Sequence, residues 1–121
     1  MNQLTIGKRY IFVNTFDATY TGDVVEITTT AVKINHKSTA FQQKEGMHHI
    51  PQHFISKTFC IDDLIVGKPY RFTTTNKTFE GIFMSVTGTY ESIQLIHCDI
   101  EYPRAVVSFP IYWIKDIRIV E

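Results

Sequence analysis

The chain has 121 residues, 44% of them hydrophobic and 13% aromatic, which is enough for one ordinary domain or two very small ones. Twelve Lys/Arg balance twelve Asp/Glu, so the cationic excess that accompanies extensive phosphate binding is absent. No apolar run approaches the roughly 18 residues that cross a bilayer. Met1 to Gly7 lack the charged start and apolar stretch of a signal peptide, and two cysteines, Cys60 and Cys98, make no disulfide framework. A soluble, intracellular protein of cytoplasm or nucleus is expected, with no membrane partner.

Taken in chain order, the elements read as β throughout. Gly7-Lys8 is a turn that releases a short strand, Tyr10 to Val13, in which Tyr10 and Phe12 alternate with other residues at the period of a half-buried strand. Thr19 to Thr28 forms a longer strand with Gly22 inside it, where a missing side chain permits a bend. Val32 to Asn35 and Met47 to Ile50 supply two more. Pro51 then stops the ladder, because proline has no N–H to donate. A tight helical turn through Phe54 leads into a last strand, Thr58 to Ile61. The second half repeats the series at Tyr70 to Thr73, Thr78 to Val86 around Gly81, Ile93 to His97, Ala105 to Phe109 before Pro110, and Ile117 to Val120. Threonine runs at Thr28-Thr29-Thr30 and Thr73-Thr74-Thr75, with many Ile and Val, favour strand over helix.

The repetition extends to residue identity. Leu4-Thr5-Ile6-Gly7-Lys8-Arg9-Tyr10-Ile11-Phe12 recurs sixty residues later as Leu64-Ile65-Val66-Gly67-Lys68-Pro69-Tyr70-Arg71-Phe72. Farther on the offset falls to 59: Thr19-Tyr20-Thr21-Gly22 matches Thr78-Phe79-Glu80-Gly81, and Ile50-Pro51-Gln52-His53-Phe54-Ile55 matches Phe109-Pro110-Ile111-Tyr112-Trp113-Ile114. Three matched blocks in one order indicate an internal duplication. Five short strands in about 60 residues predict a small closed barrel, so the expected fold is all-β, two tandem five-stranded barrels over residues 1–61 and 62–121.

This strand order, with its early Gly, mid-strand Gly and late Pro before a 3₁₀ turn, resembles the SH3-like barrels and Tudor-like domains above all. Gly67-Lys68-Pro69-Tyr70-Arg71-Phe72 with Phe79-Glu80-Gly81-Ile82-Phe83 also resembles the first motif of Sm-like proteins. The Sm RNA-reading Asp-x-x-Met-Asn element is missing from Thr87-Gly88-Thr89-Tyr90-Glu91-Ser92, and no Arg-Gly pair lies between Trp113 and Val120. The Tudor resemblance implies an aromatic cage that encloses a methylated cation. Tyr20 and Phe79 match one wall; the next position is Asn14 or Thr74, with Phe16 or Tyr90 as substitutes from loops. The Ile/Thr/Lys/Asn-rich composition and the Phe-Pro-x-x-Trp-Ile ending are similar to small tandem-barrel proteins of large DNA viruses such as the marseilleviruses, which implies a virion or early-infection protein.

No pattern supports an enzyme. His97 and Cys98 are strand neighbours that face opposite sides. Neither Lys8 nor Lys68 belongs to a phosphate-cradling loop, and no Gly-x-Ser-x-Gly elbow exists. Asp62-Asp63 reads as a solvated linker. His49 and His53 with Cys60 or His36 have ligating chemistry, but no Cys-x₂-Cys pair accompanies them, so no metal and no cofactor is expected.

Tyr10, Phe12, Tyr70 and Phe72 are assigned to the interiors. Phe16, Tyr20, Phe79, Tyr90, Tyr102 and Trp113 are the candidates for binding a partner, although Trp113 matches Phe54 of the first copy, which favours a shared packing role. Residues 1–60 hold six Lys/Arg and four Asp/Glu, residues 61–121 six and eight, an asymmetry suited to head-to-tail self-association as a homodimer or to a partner gripped by one copy. The expected function is a non-catalytic scaffold that recognises a protein or peptide. The alternative is a nucleic-acid-binding protein that uses Lys33, Lys37 and Lys44 with nearby aromatics.

Overall fold

The computed structural model describes residues 4–36, 46–87, 92–98 and 103–120. The chain divides into two compact units, Met1–Asp63 and Leu64–Glu121. In the first, strands β1 (Arg9–Asn14), β2 (Thr19–Ile27), β3 (Ala31–His36) and β4 (Gly46–Pro51) precede a 3₁₀ turn, η1 (Gln52–Phe54), strand β5 (Ile55–Cys60) and a second 3₁₀ turn, η2 (Ile61–Asp63). The second has strands β6 (Pro69–Thr74), β7 (Thr78–Thr87), β8 (Ser92–Cys98) and β9 (Pro103–Pro110), a 3₁₀ turn η3 (Ile111–Trp113) and strand β10 (Ile114–Ile119). There is no α-helix among the described residues, hence none long and apolar enough to cross a membrane.

Each unit is one antiparallel sheet, ordered β4-β3-β2-β1-β5 and, in the second unit, β9-β8-β7-β6-β10. The closed barrels expected from the strand count are therefore replaced by open five-stranded sheets whose hydrogen-bonded ladder does not join the first edge to the last. The reason lies at Pro51 and Pro110. Each ends an edge strand without an N–H to continue the ladder, and each is followed by a 3₁₀ turn, not a hairpin, that hands the chain to the opposite edge.

The duplication reaches the fine geometry. Gly7 and Gly67 have φ of +93° and +91°, a region open to glycine at little cost, so both turns reverse tightly. The Gly7 N–H donates to the Val24 carbonyl at 2.8 Å and the Gly67 N–H to the Phe83 carbonyl at 2.9 Å. The long strands carry matching bulges, between Val24 and Glu26 and between Phe83 and Ser85. The last strands skip one residue against the first at matching places. Bulges of this kind add twist and curl a sheet over its own core.

Tyr10, Phe12, Val24, Val32, Ile34 and Ile50 form the first unit's core, and Tyr70 meets Phe72 and Phe83 in the second. Burial of β1 goes beyond the half-buried pattern expected of it, because Ile11 and Val13 on its other face are also buried. In β6, by contrast, Arg71 is exposed and pairs with Glu80 at 3.0 Å. Gly22 answers to a different demand from the expected bend. A Cβ there would sit 2.8 Å from the Asn35 carbonyl oxygen, so the position is small because β3 passes close.

One loop departs from expectation. Thr28-Thr29-Thr30 is a turn, not strand: the Thr28 Oγ1 accepts from the Ala31 N–H at 3.0 Å, an alternative to the ladder that threonine hydroxyls offer the backbone. Asp62 and Asp63, read as a solvated linker, are exposed and belong to η2. Asp62 accepts from the Arg9 N–H at 3.0 Å, and Asp63 pairs with the Lys8 ammonium at 2.9 Å.

Candidate functional site

The one-residue slip in the repeat is located in the first hairpin of each unit. Val13 pairs with Thr19 across the residues 14–18 loop, whereas Thr73 pairs with Thr78 across the residues 74–77 loop. The extra residue in the first unit requires a left-handed backbone at Asp17, φ 65°. Asn14 builds this loop. Its Oδ1 accepts from both the Phe16 and Ala18 N–H groups at 2.9 Å, and its backbone N–H donates to the Ala18 carbonyl. Asparagine side chains that replace a backbone acceptor in this way hold turns in place.

Phe16 is carried at the tip of that pinned loop, with 78% of its surface exposed. It meets Phe54 of η1 edge to face, centroids 6.0 Å apart, a favoured aromatic geometry. The two elements are also tied by the Thr15 N–H, which donates to the Phe54 carbonyl at 2.8 Å. Phe54 is itself 38% exposed and has His53 against its ring at 4.2 Å between centroids. His53 in turn lines an open depression with Thr29, Thr30, Ala31, Pro51 and Gln52. Gln52 fixes the far wall: its N–H donates to the Thr30 carbonyl at 2.8 Å and its side-chain amide to the Thr28 carbonyl. An exposed ring pair thus continues into a hydroxyl-lined depression on backbone held by hydrogen bonds.

The other sequence candidates are distributed differently. Tyr20 is half-buried and packs on the first unit's core. Phe79 is half-buried too, its ring stacked on Phe109 at 4.5 Å and 13°, with the Lys77 ammonium over it at 5.2 Å. Trp113, expected to share a packing role with Phe54, is 44% exposed, as its counterpart is exposed, because both occupy the surface of a 3₁₀ turn. Tyr90 and Tyr102 lie outside the described residues, as do Lys37 and Lys44 of the nucleic-acid alternative. Lys33 is on β3, across from Glu26 and His49. His53 and Phe54 were not among the partner-binding candidates. The sequence offered no signal for them beyond the polar Gln52 and His53 beside Phe54, and in the structure no residue of η1 is buried.

Among the described residues no group of three His, Cys, Asp or Glu side chains is placed to hold a metal ion. Near η2, burial pushes the Cys60 thiol above its ordinary value, which disfavours the thiolate. Asp63 is held below the usual carboxylate value by its bond to Lys8 and, secondarily, by Cys60, and Lys8 is raised by the same partner. No protein-family model matches the chain, and no curated protein matches its sequence.

Proposed function

We propose that the chain is a non-catalytic module that recognises a protein partner, and that each unit, an open sheet, is related to the SH3-like and Tudor-like domains in its strand order. Support for the second point comes from the shared order of five strands and from the 3₁₀ turn between the last two of each unit. The observation that carries the first is the Phe16–Phe54 pair. A side chain as apolar as Phe16 left 78% exposed is a cost in water unless something covers it, and here two elements are hydrogen-bonded together to keep it in place. Rigid aromatic anchors are what protein interfaces use, since little conformational entropy is lost on binding. The methyl-cation cage is not part of this reading, because Tyr20 packs inward and Phe79 is already stacked on Phe109 beneath Lys77.

The test is capture from cell lysate by the purified chain and by its Phe16→Ala variant, each with and without nuclease. Proteins that survive nuclease and are lost with Phe16→Ala support the reading. Recovery that collapses with nuclease and is indifferent to Phe16 would transfer the function to nucleic-acid binding.

A further inference from the structure

No further inference is drawn: the strongest candidate, the exposed Phe16–Phe54 ring pair with the depression beside η1, belongs to the site already described, and nothing in the structure shows what covers it.

Discussion

The Thr5 N–H donates to the phenolic oxygen of Tyr10 at 2.8 Å, closing the turn that starts the first unit onto the strand that the turn releases. Ile65 and Tyr70 repeat the bond at 2.9 Å. A tyrosine whose ring is buried and whose hydroxyl is paired combines core packing with a polar fastening. Replacing Tyr10 by Phe keeps the ring and leaves the Thr5 N–H without its acceptor, which should cost about 1 kcal/mol. Tyr70→Phe should cost the second unit a similar amount. Chemical denaturation of each variant checks this, and an unchanged midpoint would show that water replaces the hydroxyl at no loss.

Asn14 holds its loop by two bonds from a single oxygen, to the Phe16 and Ala18 N–H groups. Asn14→Ala should destabilise the unit by about 1 kcal/mol, and it should also free the Phe16 backbone. Amide exchange reads the two effects separately: faster exchange at Phe16 and Ala18, with β3 and β4 protected as before. The partner affinity should fall in this variant even though no anchoring side chain has been removed, because the rings would no longer be held for binding.

Gly22 tolerates no side chain at its crossing with β3. An alanine Cβ would lie 2.8 Å from the Asn35 carbonyl oxygen and 3.2 Å from Ile34 Cδ1, and backbone on the near side cannot simply swing away. Gly22→Ala should destabilise by roughly 1–3 kcal/mol, the usual range for overpacking. Gly7→Ala is a useful contrast, since nothing lies within 4 Å of its Cβ position and its penalty would come from φ alone. Thermal melts of the two variants distinguish a clash from a strained backbone.

The Lys8–Asp63 pair gives a pH signature. Asp63 has a folded value lowered from 3.8, so its contribution is present above that value and is lost as pH falls through the folded one. Lys8 is raised from 10.5, so its contribution is present below that value and is lost as pH rises through the folded one. Between those limits the pair acts at constant strength. Asp63→Asn should therefore lower stability slightly at neutral pH, and the gap from the parent should close in strong acid. Both side chains are exposed, so high salt should shrink the gap as well. In the same corner, Cys60 should be alkylated more slowly at neutral pH than an unstructured cysteine, as site-resolved mass spectrometry would measure.

Much of the strand plan was legible because glycine, proline and a period of two mark it from both sides. Tyr10 and Phe12 alternate inward as read, and Pro51 ends β4. What was not legible depends on distances between segments far apart in sequence. Strand count alone suggested closure, but whether the two edges of a sheet pair is decided by the path of the 3₁₀ turn between them. The threonines at Thr28 to Thr30 have strand propensity, and a local hydroxyl bond overrode it. Phe54 looked like a packing residue because Trp113 matches it, whereas its neighbours Gln52 and His53 leave the turn nothing apolar to bury. Phe16 was visible only as an unusual aromatic in a loop; its meaning came from Phe54, brought to it by the pairing of β1 with β5.

An open sheet has margins, and margins invite growth from one molecule to the next. Those of this protein are guarded by chemistry that discourages stacking. Pro51 closes one end of β4, and Pro103 and Pro110 close both ends of β9, each removing a donor that an incoming strand would need. Lys57 on β5, and Lys115 and Arg118 on β10, place cations along the other margins. An incoming strand therefore meets missing donors at one margin of each sheet and cations at the other, although the backbone there is already in the conformation from which fibrils are built.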